Sequence, residues 1–388
     1  MSQAFHGGGV RQAAEQFGLP ADSFIDFSSN LNILAPRVAA VDWEQWSSEI
    51  GRYPEPDSQS LSEQLARFYH VSTDHILPTA GAIEALYLSA RLFVGCKVAV
   101  LEPAFSDYSR AFRGLPCSLE RIFLEPDLWD RPATAWADRL EPFDVVVLGN
   151  PNNPTGAFHS LNELIELFDR HWIRPKRWII DEAFIEFVAG SEHETLLSQL
   201  TNYPSLIVLR SLTKSWRIPG LRLGFLATAA QTAQLRQMQP PWSVNGVVQA
   251  WAKHFLVEDR RTEYMASLQM LADLRDNFQR SLRGIPGVRV HPSAANFLLL
   301  ELTDSSLYAN RIYVELGSCG ILVRVCDSFY GMPKGRFLRV AVRTALENQR
   351  FADLLSAICG TPSGDTDHQS PIANHQSPLT SHVVGRAA

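Results

Sequence analysis

The chain of 388 residues carries 35 basic and 41 acidic side chains, a formal charge of −6, and 46 % apolar residues. This is an ordinary globular mixture, long enough for two or three structural units. It offers no electrostatic footprint for nucleic acid and no polybasic segment for a membrane surface, so neither partner is expected. The five cysteines, Cys96, Cys117, Cys319, Cys326 and Cys359, are odd in number and form no CxxC pair. Neither a metal site nor a disulfide framework is expected, and reduced thiols suit a cytoplasmic protein. The opening MSQAFHGGGVRQAAEQFG has no basic segment followed by an apolar run, so no secretory signal is expected. No apolar run approaches the ~20 residues that span a bilayer.

In chain order, residues 76–228 alternate apolar runs with amphipathic stretches. The runs are Val98–Leu101, Leu119–Leu124, Val145–Leu148, Trp178–Ile180, Ile207–Leu209 and Leu223–Ala227. Between them lie helix-like segments such as Ser160–His171, where Ser160 and Glu163 have the spacing of a capping box. Uninterrupted apolar strands separated by helices predict a mostly parallel sheet covered on both faces, an αβα architecture. Residues 244–284 read as one long helix without a strong breaker. Short strands then follow at Val288–His291, Asn296–Leu302, Ile321–Val325 and Phe337–Val342, with a last helix over Ala345–Ile358, the pattern of a smaller α+β domain. The expected division is a large domain over 46–250 and a small domain from 1–45 with 251–359. Residues 360–388, rich in Pro, Ser, Gly and His and devoid of aromatics, are expected to be a disordered tail.

Ligands of such sheets sit at the carboxyl ends of the strands, and polar residues concentrate there. NPNNPTG, from Asn150 to Gly156, follows the run ending at Leu148, and its Asn side chains can donate to an anionic oxygen. Asp181 follows Trp178–Ile180 and can pair with a protonated pyridine nitrogen. Ser211, Thr213 and Arg222 supply two hydroxyls and a planar fork for a phosphate dianion. Lys214 lies among them, and a lysine desolvated near cationic groups can form a Schiff base. TAGAIE, from Thr79 to Glu84, turns a strand into a helix, where Gly81 admits a phosphate to the helix N-terminus. Each segment alone is also the residue content of an ordinary turn.

Together, NPNNPTG, DEAF, SLTK and GLRLG follow the running order of the fold-type I aminotransferase superfamily, and the resemblance covers residues 5–358. Within it the chain is most similar to the threonine-phosphate decarboxylases of cobalamin biosynthesis, on His6-Gly-Gly8 with Arg11, on DFSSNLN from Asp26 to Asn32, on Arg52-Tyr-Pro54, on Phe184, on PWSVN from Pro241 to Asn245 and on RVAVR from Arg339 to Arg343. The resemblance implies pyridoxal 5'-phosphate as cofactor and a homodimer with shared sites. It places Lys214 as the covalent anchor and Asp181 on the pyridine nitrogen as the catalytic pair. Asn153 is placed on the ring oxygen, Phe105 on the ring face, and Gly81, Ala82, Ser211, Thr213 and Arg222 around the phosphate. Tyr53 is expected to reach the cofactor phosphate across the dimer interface. His6, Asn30, Asn153, Arg324 and Arg339 are expected to bind a phosphorylated amino acid.

The activity implied is that of a lyase that converts L-threonine O-3-phosphate to (R)-1-amino-2-propanol O-2-phosphate. A histidinol-phosphate aminotransferase and a phosphoserine-preferring decarboxylase are the alternatives. Aminotransferases usually carry Tyr where Phe184 stands, which weighs against transamination. The turn AGAIE departs from the family's more polar sequence, so a backbone cradle is expected to survive there without a side-chain contact to phosphate.

Overall fold

The computed structural model describes residues 8–36, 43–171 and 176–360. His6 and the expected tail beyond Gly360 lie outside the described residues. The strands are β1 (Ile25–Asp26), β2 (Ile76–Thr79), β3 (Lys97–Glu102), β4 (Ser118–Phe123), β5 (Val145–Gly149), β6 (Arg177–Asp181), β7 (Leu206–Ser211), β8 (Gly224–Ala227), β9 (Val288–Val290), β10 (Phe297–Leu302), β11 (Ile321–Leu322), β12 (Arg324–Val325) and β13 (Phe337–Ala341). A seven-stranded sheet runs in the order β2-β8-β7-β6-β5-β3-β4. From β4 to β7 its neighbours are parallel, and β8 alone runs against both its partners.

The apolar runs explain the layering. In β5 and its neighbours, Val146, Leu148, Ile180 and Val208 enter one core, while Val145, Val147, Ile179 and Ile207 enter another on the opposite face. Successive side chains of a strand point to opposite faces, so an uninterrupted Val/Ile run needs cover on both. Each such side chain, fully buried, contributes roughly 1.5–3 kcal/mol. One covering helix, Leu161–Arg170, starts as its sequence predicts, with Ser160 Oγ accepting from the Glu163 N–H and the Glu163 carboxylate accepting from the Ser160 N–H. Such a cap contributes about 1 kcal/mol.

The second sheet, β12-β13-β10-β9, is antiparallel and buries Leu298, Leu300, Leu338 and Val340 with Phe351 and Leu355 of the terminal helix Ala345–Gly360. The run Ile321–Val325, read as one strand, is split at Val323. Its first half, β11, pairs in parallel with β1, and its second half, β12, pairs with β13. The N-terminal segment is thereby tied to this part of the molecule. Among the described residues no helix is long and apolar enough to cross a membrane.

The long helix expected over 244–284 is two helices, Gly246–Phe255 and Glu258–Leu282, separated at Leu256 and an extended Val257. No local breaker causes this; tertiary packing does. Trp251 meets the Trp216 ring edge-on at 5.4 Å, and Tyr264 stacks on the same ring at 4.0 Å. On one straight helix residues thirteen apart would lie about 20 Å from each other. Both can touch Trp216 only if the chain bends between them.

Gly224 fixes how the sheet meets the first site loop. A side chain there would lie 2.6 Å from the Ala82 nitrogen and the Arg210 carbonyl oxygen and 2.7 Å from the Gly81 carbonyl carbon, all backbone atoms. Overpacking of this kind typically costs about 1–3 kcal/mol. Gly224→Ala is therefore expected to lower the urea midpoint of unfolding by that order, where a surface Gly→Ala change such as Gly284→Ala, with open space around it, leaves it within error.

Candidate active site

The carboxyl ends of β5, β6 and β7, the turn after β2 and the edge of the small sheet enclose a cavity of about 330 Å³. Asn30, Ala82, Phe105, Asn153, Asp181, Ser211, Thr213, Lys214, Arg222, Arg324 and Arg339 all line it. These positions span nearly the whole sequence and were singled out from it. Gly81 lies just outside, beneath Arg222. A Cβ on Gly81 would sit 2.7 Å from Arg222 Nη2, and its φ of +84° suits glycine. Tyr53 does not line this cavity; it is 84 % exposed and packs on Trp242 with ring centroids 5.2 Å apart.

At one end the cavity can receive a dianion. The helix Ala82–Ala90 opens there with no side-chain cap, so its first N–H groups are available to an anion. Ser211 Oγ and Thr213 Oγ1 hydrogen-bond to each other at 2.7 Å, and Arg222 has no carboxylate partner among the described residues. In the AGAIE turn the Glu84 carboxylate is already engaged, accepting from the Ala80 N–H at 2.6 Å and from Ser243 Oγ.

Asp181 and Lys214 occupy the middle. Asp181 Oδ1 accepts from the Ala183 N–H at 2.9 Å and Oδ2 from the Tyr108 hydroxyl at 2.8 Å. Burial raises the Asp181 pKa above the ordinary 3.8, while the Lys214 charge, Tyr108 and the Ala183 N–H pull it back. Burial lowers the Lys214 pKa, Asp181 opposes this, and the guanidinium groups of Arg222 and Arg339 add to it. Lys214 Nζ stands 4.7 Å from the centre of the Phe184 ring. Phe184 is buried and meets Phe297 edge-on, so where a tyrosine would bring a hydroxyl the chain presents an apolar face to the lysine.

The far end is cationic. Arg339, on β13, donates Nη1 to Asn153 Oδ1 and Nη2 to the Ser28 carbonyl at 3.0 Å. Its Nε is buried without a partner, as is Asn30 Oδ1. Burial first, and Arg324 nearby, push the Arg339 pKa down to about 10, so it remains charged at neutral pH. Arg324 donates to Ser328 Oγ at 2.6 Å. The loop carrying Ser28 to Asn30 is held by Asp26, which accepts from Ser28 N, Ser28 Oγ and Ser29 Oγ at 2.6–2.8 Å. Buried polar atoms are normally paired, so these orphans mark where a ligand's polar atoms belong.

Reading the sequence missed Tyr108, Ser28 and Phe329, all of which line the cavity. Ser28 lies inside the DFSSNLN stretch, in which only Asn30 is given a role, and Tyr108 stands three residues after Phe105 in the helix Asp107–Ala111.

The lowered Lys214 pKa makes a stability claim. Between the folded value and the ordinary 10.5 the unfolded chain binds the extra proton, so stability rises with pH across that window. In cofactor-free protein, Lys214→Met is expected to raise the urea midpoint at pH 7. The gap to wild type should then shrink as the pH rises through the folded value and vanish only above about 10.5, where the lysine is neutral in both states.

The family model for aminotransferase class I and II matches residues 22–358. The chain is 34 % identical to threonine-phosphate decarboxylase of Salmonella typhimurium over 93 % of its own length and 98 % of the relative's. It is 33 % identical to L-serine phosphate decarboxylase of Sulfurospirillum multivorans, over 80 % of each chain. A solved decarboxylase structure from Sulfurospirillum multivorans superposes with a TM-score of 0.83 at 28 % identity, covering 93 % of this chain and 94 % of that one. With its strand-end motifs gathered round one cavity and a family model matched over most of its length, the chain belongs to the aminotransferase class I and II family.

Proposed function

We propose that the chain binds pyridoxal 5'-phosphate at Lys214 and decarboxylates L-threonine O-3-phosphate to (R)-1-amino-2-propanol O-2-phosphate, a step of cobalamin biosynthesis. The observation that carries this reading is the cationic far end. Arg324 and Arg339, with the orphaned Arg339 Nε as a free donor, face a cavity that also holds the dianion cradle at Ala82, Ser211, Thr213 and Arg222. Two groups of anion-binding residues in one cavity with Lys214 suit a phosphorylated cofactor and a substrate that carries both phosphate and carboxylate. The names of the relatives point to the same substrate class.

The cavity fits the cofactor. The uncapped helix at Ala82, the two hydroxyls and Arg222 suit its phosphate. Phe105 offers a ring face, Asp181 a carboxylate for the pyridine nitrogen, and Asn153 Nδ2 a donor for the ring oxygen, since Asn153 Oδ1 is already taken by Arg339. Bound there, the cofactor supplies an electron sink for the pair released at Cα when a bond to it breaks.

The chain's own residues then divide the work. Arg324, Arg339 and Asn30 hold the substrate's phosphate and carboxylate, and this remote binding fixes which bond at Cα stands out of the ring plane. Asp181, held by two hydrogen bonds and beside the Lys214 charge, would pair with the pyridine nitrogen and favour a proton there when the cofactor is bound. The reaction exchanges the carboxylate at Cα for a proton, so substrate and one proton yield amine and carbon dioxide. Lys214 Nζ, with a pKa lowered by burial and cationic neighbours, hands that proton to Cα. Phe184 gives no hydroxyl beside the ring oxygen, which favours decarboxylation over amino transfer.

The active unit in this reading is a cytoplasmic homodimer. Tyr53 and Trp242, 84 % and 46 % exposed, form an aromatic pair that a second copy would cover, bringing Tyr53 to the partner's cofactor phosphate. The free thiols suit a reducing compartment.

Carbon dioxide release from L-threonine O-3-phosphate by cofactor-loaded protein, with no keto acid present, tests the reading. Many turnovers are expected, and none for Lys214→Ala. A single conversion of the cofactor to its amine form without carbon dioxide would overturn it in favour of amino transfer. Because one methyl group discriminates by only about 10–200-fold, L-serine O-phosphate is expected to react within that margin of the preferred substrate.

A further inference from the structure

We infer that Tyr108 is a positioning residue for this chemistry: its hydroxyl fixes the Asp181 carboxylate in the orientation in which it meets the cofactor's ring nitrogen. The inference rests on the cofactor reading above but not on the identity of the substrate.

Three features of the fold converge on this contact. Tyr108 is 2 % exposed and stands in the first turn of the helix Asp107–Ala111, its N–H donating to the Phe105 carbonyl at 3.0 Å. Its hydroxyl donates to Asp181 Oδ2 at 2.8 Å. The route to that oxygen passes over Gly149, the register partner of Asp181 on the neighbouring strand. A Cβ on Gly149 would lie 2.7 Å from the Tyr108 hydroxyl oxygen. The last residue of β5 is therefore bare where the hydroxyl needs room. The Phe105 and Tyr108 rings meet edge-on, at 5.8 Å and 83°, so one turn of chain sends a ring into the cavity and a hydroxyl to the carboxylate behind it.

The consequence is geometric and electrostatic. With Ala183 N–H on Oδ1 and Tyr108 on Oδ2, each carboxylate oxygen has one fixed donor and the plane of the group cannot rotate. Lone pairs on the carboxylate remain for a ring N–H. Donation to an anion also stabilises its charge against the burial that raises its pKa. The donor is permanent at neutral pH, because burial and the Asp181 charge keep the Tyr108 proton in place well above the ordinary 10.0. A tyrosine that only filled space would need some acceptor for its hydroxyl. It would not need a glycine cleared beside it and a functional carboxylate at its tip.

The test uses cofactor-loaded Tyr108→Phe. The pH midpoint of the bound cofactor's visible absorbance is expected to move by about half a unit or more, because a charge-assisted hydrogen bond to its carboxylate partner is gone. The kcat for carbon dioxide release should fall roughly tenfold with KM within about twofold, since Tyr108 stabilises the reaction without touching substrate. Gly149→Ala keeps the tyrosine and pushes its hydroxyl away; it should reproduce the same absorbance shift in smaller measure, which covers the case in which Tyr108→Phe fails to fold. An unmoved midpoint and unchanged kcat in a folded Tyr108→Phe protein would overturn the inference, whatever happens to stability. The absorbance titration needs no substrate. If wild type takes up no cofactor, the cofactor reading falls; if wild type takes it up and the variants titrate like it, only the role of Tyr108 falls.

Discussion

The site depends on the alternation of side chains where β6 and β7 end side by side. Asp181 and Ser211 face the cavity, and their chain neighbours Glu182 and Arg210 turn the other way into a closed ion pair at 3.1 Å. Arg210 reaches Glu186 as well, at 3.0 Å, and lies over the Tyr69 ring at 4.8 Å. Glu182 is saturated by the Thr195 hydroxyl and the Leu196 N–H, and Glu186 by the Tyr69 hydroxyl. Charges so deeply buried persist only when every partner is present; deleting one member of such a pair typically costs about 3–5 kcal/mol. The network therefore resists any slip of β6 against β7, because a one-residue shift would turn its charges toward the cavity face and take Asp181 off it.

Lys214 inherits its position from this floor. It lies one short turn beyond Ser211, and Trp216, fully buried two residues later, is wedged among Phe68, Trp251, Phe255 and Tyr264. Asn32 binds the same turn from the N-terminal segment, its N–H donating to the Lys214 carbonyl and its side chain to the Ser215 carbonyl. A lysine held by its backbone in this way keeps its long side chain as the mobile part. Burial, aided by the charges of Arg222 and Arg339 and opposed by Asp181, disfavours the ammonium form, the condition a nucleophilic or proton-carrying amine requires. Arg339 closes the arrangement by joining β13 to Asn153, in the turn after β5, and to Ser28 of the N-terminal segment. The cavity exists only where these three stretches of chain meet.

The sequence by itself determined the layered architecture, because Val145–Leu148 and its sister runs are too apolar on both faces to lie anywhere but in a covered, mostly parallel sheet. It also marked strand-end residues that gather at the cavity, Asp181, Ser211, Thr213 and Lys214, because ligands of such sheets bind at the carboxyl ends of the strands. Tertiary structure alone decided what local pattern does not encode. It broke 244–284 into two helices because both must pack on Trp216, split Ile321–Val325 because two sheets compete for it, and set the Tyr108 hydroxyl over Gly149 onto Asp181. Periodicity reports which way a side chain faces within its own element. The partner it meets across the fold is set by contacts between residues far apart in the chain, and no local stretch of sequence carries those.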